Sequence, residues 1–266
     1  MAGVDLRTGD FGDTNALAAA IEGFGIVYHL VHATPPQPAN TDMAGDIRNN
    51  VLPSLALFDV CRRLGVQRIV FLSSGGTVYG RTDIVPTPET ASTEPIAAYG
   101  ISKLMIEKYL ALYEHLRQID YRVLRVANPF GPYQTAVKNQ GIIAAIIARG
   151  LRGEPIEIWG DGSAVRDFIY IEDVIDALEL ASGDRSNFRI FNIGRGEGRS
   201  VREIANGIES LLGKKLNIVW KDARAVDLPV SIVSNTRAKE VLGWAPKTTL
   251  EDGLKKTIAW WQSGAR

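Results

Sequence analysis

At 266 residues the chain is long enough for one large core or two modest lobes, and 45% apolar with 23% charged residues is the balance of an ordinary globular protein. Thirty basic residues face thirty acidic ones, which removes any electrostatic argument for a nucleic-acid or anionic-membrane partner. The single cysteine, Cys61, forms no intrachain disulfide and suits packing in a cytoplasmic protein; the longest strictly apolar run, 142–148, is far short of a membrane span, and Met1–Arg7 lacks the apolar core of a signal peptide.

In chain order, Val4–Leu6 reads as a short strand, Gly9–Gly12 as a turn, Asp13 or Thr14 as the cap of a helix running to Glu22, and Ile26–Val31 as a second strand. Ile47, Val51, Leu55, Phe58 and Cys61 fall at helical spacing and predict a helix over 43–64, with Pro53 kinking or locally breaking its hydrogen-bond ladder. Ile69–Leu72 is a short β-branched run that ends in Ser73, Ser74, Gly75 and Gly76. It reads as a buried parallel strand whose carboxyl end opens into a turn, the place where ligands sit in such sheets.

A helix over 98–117 follows from Ile101, Met105, Tyr109, Leu112 and Leu116, and it places Tyr99 and Lys103 one turn apart on one face. A phenol with a solution pKa of about 10 is a poor base at neutral pH, but an ammonium beside it favours the phenolate, and Ser74 is placed to relay or hold the same proton. Alone, a Tyr-x-x-x-Lys spacing is weak, because chance produces it often. A strand ending in Ser-Ser-Gly-Gly upstream strengthens it.

Arg122–Val126 is another buried strand, and Asn128-Pro129-Phe130-Gly131-Pro132 takes the chain out of the sheet, since two prolines and a glycine do not continue a central strand. A helix over 140–151, a strand over 156–159 and a turn at Gly160–Gly162 begin a second lobe. Arg166 stands at the entrance of a β-strand in the stretch Arg166–Asp173. Its planar fork suits a diphosphate through paired charge-assisted hydrogen bonds, and a salt bridge to Asp167 or Glu172 is the alternative. Gly194-Arg-Gly196-Glu-Gly198, between a strand over 189–193 and a helix over 201–212, imitates a dinucleotide fingerprint, but its third glycine comes one residue early and no acidic residue ends a second strand at the needed distance. It reads as a tight turn. A strand over 216–220 and helices over 236–242 and 250–261 complete the lobe. Trp244, Trp260 and Trp261 read as packing, and His29, His32 and His115 have no metal spacing.

Ser74, Tyr99 and Lys103 resemble the catalytic serine, tyrosine and lysine of the extended short-chain dehydrogenase/reductases. The wording Ser-Ser-Gly-Gly-Thr-Val-Tyr-Gly with Tyr-Gly-Ile-Ser-Lys-Leu is similar to the UDP-glucose 4-epimerase branch of the NAD-dependent epimerase/dehydratase family. The resemblance covers the chain from Asp5 onward. It implies an α/β fold, a Rossmann-like doubly wound parallel sheet, truncated at its N-terminus, with a smaller α+β substrate lobe. By the resemblance the first two strands are missing, and with them the Gly-x-x-Gly-x-x-Gly turn and the acidic residue that hold the cofactor pyrophosphate and ribose. That predicts an exposed apolar edge at Ile26–Val31, weak NAD binding and marginal solubility, or a protein that begins upstream of Met1. The expected lobes are 1–131 with 165–195 for the dinucleotide, and 132–164 with 196–266 for a nucleotide sugar.

The implied cofactor is NAD, approached by Asp10, Leu30, Asn49, Tyr99 and Lys103; for Asn49 a solvated helix position is the alternative. Thr77, Asn128, Arg166 and Arg224 are implied contacts of a nucleotide-sugar substrate, the two arginines on its diphosphate. Helices 43–64 and 98–117 are the pair through which such proteins form homodimers. The reaction expected is C4 epimerisation of a nucleotide-activated hexose through a transient 4-keto sugar. Gly75, Gly76 and Thr77 stand where a dehydratase carries its acid and base, and Cys61 is on the wrong element for a cysteine-assisted epimerase. A non-catalytic nucleotide-sugar-binding remnant, and another NAD(P)-dependent short-chain oxidoreductase, are the alternatives.

Overall fold

The computed structural model describes residues 4–34, 36–116, 118–134, 141–223 and 228–264, without the side chains of 36–38. The chain forms two compact units. One comprises the chain up to Ser73 together with Ala97–Val123; the other comprises Ser74–Ile96 and the chain from Leu124 onward.

In the first unit, α1 (Thr14–Ile21) starts where the Asp13 carboxylate accepts the Asn15 and Ala16 N–H groups, satisfying orphan donors of the first turn. Strand β1 (Ile26–His29) follows, then the short helices α2 (Pro36–Thr41) and α3 (Met43–Asp46). The helix expected over 43–64 with a kink or local break at Pro53 is divided, and the break comes before the proline. After α3 comes a π-helical turn, Ile47–Val51, and only then α4 (Leu52–Arg63), with Pro53 in its first turn, where a missing N–H costs nothing. Strand β2 (Arg68–Ser74) pairs in parallel with β1, His29 opposite Phe71, and α5 (Ala98–His115) leads to β3 (Asp120–Val126).

The sheet order here is β1-β2-β3. β3 is buried nearly throughout, whereas β1 is the edge strand: Ile26, Tyr28, Leu30 and Val31 are 40–48% exposed. The expected apolar edge is therefore present. Val4–Leu6 is not a strand; Val4 and Leu6 are largely exposed and, among the described residues, have no neighbouring strand to supply backbone partners. Leu57, Phe58, Val60, Ile69, Val70, Phe71, Ile106 and Leu110 form the buried interior, with Cys61 among them as a free, packed thiol.

The second unit takes up the end of β3, beside which β8 (below) lies. Strand β4 (Asn128–Phe130) leaves that sheet, as the prolines require, and is followed by α6 (Ile142–Arg152), β5 (Ile156–Trp159), β6 (Val165–Arg166), β7 (Phe168–Tyr170) and α7 (Ile171–Gly183). Next come β8 (Ile190–Ile193), β9 (Arg199–Ser200), α8 (Val201–Leu212), β10 (Ile218–Lys221), β11 (Val230–Ser231), α9 (Thr236–Leu242) and α10 (Leu250–Gln262). β4 pairs in parallel with β7, β5 with β10, and β6 lies between β11 and β9. Ile143, Ile146 and Ile147 of α6 pack with Ile156, Ile158, Ile204, Ile208 and Leu254 in one apolar cluster. Ser200 and Glu203 form a reciprocal capping box at the start of α8, which accounts for the agreement between its observed and expected bounds.

Candidate active site

Tyr99 and Lys103 lie in the first two turns of α5, in the first unit. Lys103 is 2% exposed, and its ammonium donates to the Leu72 carbonyl (2.8 Å) near the carboxyl end of β2, 4.8 Å from the Phe71 ring centroid and 5.8 Å from that of Tyr99. Burial lowers its pKa to about 7, against the opposing pull of Glu107 and Asp46. Glu107, one turn further along α5, is buried and accepts a hydrogen bond from Ser73 Oγ.

Lys103 was expected to draw the Tyr99 pKa down. Instead the phenol stands at about 12, pushed up by burial and by the negative charge of Asp46. In the ligand-free chain desolvation outweighs a lysine that is itself driven towards neutrality.

Three residues not singled out as site residues surround this pair. Asp46, fully buried, accepts from Asn50 Nδ2 (2.9 Å) and from Ser102 Oγ, which precedes Lys103 on α5. Asn50 Oδ1 accepts the Ala33 N–H and Asn50 Nδ2 donates to Thr34 Oγ1, so the loop after β1 is tied to the π-helical turn. His32 on that loop stands edge-on to the Tyr99 ring, centroids 4.6 Å apart. The spacing of Asp46 and Asn50, one helical turn apart, was the signal available for them; His32 carried none. Of the residues expected near NAD, Asn49 is exposed beside the buried Asn50. Leu30 is half exposed just past β1, and Asp10 is exposed, its carboxylate accepting the Gly12 N–H.

In the second unit, Ser74 begins a turn in which Gly75 donates to the Val126 carbonyl (2.8 Å). A Cβ on Gly75 would meet the Arg125 carbonyl oxygen and Val233 at 2.9 Å, so a glycine is needed for that approach. Thr77 Oγ1, in the same turn, is buried without a hydrogen-bond partner among the described residues. Asn128 donates through both its backbone N–H and its side-chain amide to the Asp167 carbonyl, which brings it next to Arg166 and Asp167. Arg166 donates to the Val165 carbonyl, while Glu172 pairs with Lys256. Arg224 lies outside the described residues.

Asp167 is fully buried and accepts the backbone N–H groups of Arg195 and Gly196. The glycine-rich stretch 194–198 is thus a turn closed on an internal carboxylate, as expected, with its donors already used. Burial raises the Asp167 pKa to about 6, partly offset by those N–H groups. No cluster of potential metal ligands occurs among the described residues.

Comparison with known proteins places this arrangement. Residues 2–194 match the model of the NAD dependent epimerase/dehydratase family. The chain belongs to that family. It is 33% identical over 238 residues to a UDP-glucose 4-epimerase of Mycolicibacterium smegmatis, covering 90% of this chain and 76% of the relative. The crystal structure of a Thermotoga maritima UDP-glucose 4-epimerase with UDP-glucose superposes with a TM-score of 0.93 at 35% identity, covering 97% of this chain and 84% of the other. A Thermus thermophilus UDP-glucose 4-epimerase in complex with NAD gives 0.92 at 29% identity, with 98% and 86% covered. The fold is the Rossmann-like α/β fold, and the cofactor of the family is NAD. The residues present fit its reacting half: a half-buried tyrosine and a buried lysine one helical turn apart, at the carboxyl end of β2.

Proposed function

We propose that this member of the family is a nucleotide-sugar epimerase, acting at C4 of a UDP-glucose or UDP-galactose type substrate through a transient 4-keto sugar. The observation that carries the reading is Tyr99 one turn from the buried Lys103, which is held against the Leu72 carbonyl at the end of β2, in a family defined by NAD dependence. NAD, when bound, supplies a hydride acceptor that becomes the donor on return. Tyr99 Oη takes the proton of the C4 hydroxyl and gives it back to the opposite epimer, so no further acid or base is required. Lys103, when charged, favours the phenolate and orients the ribose. A hydrogen bond to the reacting oxygen is the role assigned to Ser74, and Thr77 with its orphaned hydroxyl is a secondary sugar contact.

Arg166, Arg224 and Asn128 are proposed to hold the nucleotide sugar in the lobe 132–164 with 196–266 and at its margin. Residues 1–131 with 165–195 are proposed to hold NAD, with Asp10, Leu30 and Asn49 among its contacts. The test is interconversion of UDP-glucose and UDP-galactose with and without added NAD. Substrate binding without interconversion would favour a non-catalytic remnant, and NAD reduction by simple alcohols would favour a dehydrogenase.

A homodimer through helices 43–64 and 98–117 is proposed as well. Ile101, Leu104, Met105, Tyr109 and Leu112 line a shallow apolar groove on α5, and Ile101, Leu112 and Leu116 are about half exposed. Sedimentation of the chain and of Leu112→Glu checks it, the substitution being expected to yield monomer.

A further inference from the structure

His32 combines burial, polarity and position in a way that packing alone does not require. Its side chain is 7% exposed, and among the described residues neither ring nitrogen has a hydrogen-bond partner. Nε2 approaches Asp46 Oδ1 only to 3.6 Å, and both Asp46 oxygens already serve Asn50 and Ser102. Burial and the nearby Lys103 hold the imidazole pKa down to about 3, so at neutral pH the ring is uncharged and the approach is not an ion pair. A buried polar group left without a partner costs stability, and such a group in a native fold calls for a reason. The neighbouring His29 differs in that its Nε2 meets Ser54 Oγ at 2.8 Å, and only its Nδ1 lacks a partner among the described residues.

His32 also lies just past the carboxyl end of β1, where ligands bind in parallel sheets, and against the ring of Tyr99. Its loop is fixed there by the Asn50 hydrogen bonds to Ala33 and Thr34, so the ring is held in place before any ligand arrives. A neutral imidazole offers one donor and one acceptor, which complements a sugar hydroxyl, and no cluster of potential metal ligands accompanies it among the described residues.

We infer that His32 is a further cofactor contact, hydrogen-bonding a ribose hydroxyl of the dinucleotide on the side facing Tyr99. The inference rests on the NAD-dependent reading above and adds a residue that neither the motif pattern nor the proposed reaction had assigned.

The deciding variant is His32→Phe, which keeps an aromatic ring against Tyr99 and removes both orphaned nitrogens. Titration of the full chain with NAD should show affinity about tenfold weaker than the parent, the loss of one hydrogen bond. The ligand-free variant should melt roughly 2–4 °C higher, because it buries no unpartnered polar atom. A purely packing histidine would leave NAD affinity unchanged, and that result overturns the assignment. If the larger ring is not accommodated, shown by a lost cooperative melt, His32→Ala takes its place, and unchanged NAD affinity there overturns the assignment equally. A parent chain that binds no NAD overturns the cofactor reading itself, whereas a parent that binds with an indifferent variant overturns only the role of His32.

Discussion

Each unit buries several charged side chains, and two of them, Asp167 and Lys103, are treated in opposite ways. Asp167, in the second unit, is wrapped by backbone donors of the 194–198 turn; Gly194 is required there because a Cβ would meet Asp167 Oδ2 at 2.3 Å. Lys103, in the first, donates to one carbonyl and otherwise faces the rings of Phe71 and Tyr99, with the orphaned His32 beside that tyrosine. A buried charge with a structural task is surrounded by fixed complementary groups, whereas one with a chemical task keeps capacity for a ligand.

The largest effect that tests this contrast is on the chemistry. Tyr99→Phe removes one hydroxyl and no packing volume, so epimer interconversion should fall by about three orders of magnitude or more while urea unfolding is unchanged. Retained turnover would end the catalytic assignment.

Stability should separate the two buried charges next. Asp167→Ala leaves the Arg195 and Gly196 N–H groups buried without acceptors and should cost about 3 kcal/mol in urea unfolding. Lys103→Met removes an ammonium that burial already disfavours, so it should stay within about 1 kcal/mol of the parent while turnover is lost. Equal destabilisation by both would erase the distinction.

Arg166→Ala and Arg224→Ala sharpen it from the substrate side. Each should weaken UDP-glucose binding about tenfold, the worth of a charge-assisted hydrogen-bond pair, and leave NAD affinity within about twofold. Calorimetric titrations with equal losses for both ligands would refute the diphosphate role.

The smallest effects are in the pH dependence of stability, and their signs are opposite. The folded-state pKa of Lys103 is depressed from 10.5 to about 7, so between those values the unfolded chain binds more protons and stability rises with pH. That of Asp167 is raised from 3.8 to about 6, so over that window the folded chain binds more protons and stability falls as pH rises. Lys103→Met should flatten the upper slope and Asp167→Asn the lower, read from melts across pH.

Much of this protein was determined by local sequence. Asp13 as a cap, the apolar run at Ile69, the helix at 98–117 that sets Tyr99 one turn before Lys103, and Ser200 with Glu203 are short-range signals, and each element formed close to its expected bounds. The glycine-rich imitation at 194–198 was also legible as a turn, because fingerprint spacing is itself local. Tertiary structure alone decided the rest. Val4–Leu6 has strand-like residues but, among the described residues, no strand beside it, and the helix expected over 43–64 resolves its proline through a π-helical turn that turns Asn50 inward and leaves Asn49 in solvent. The resting pKa values of Tyr99 and Lys103 and the unpartnered nitrogens of His32 depend on how much water the surrounding elements exclude. That is a property of packing between segments distant in sequence, which no spacing of residues encodes.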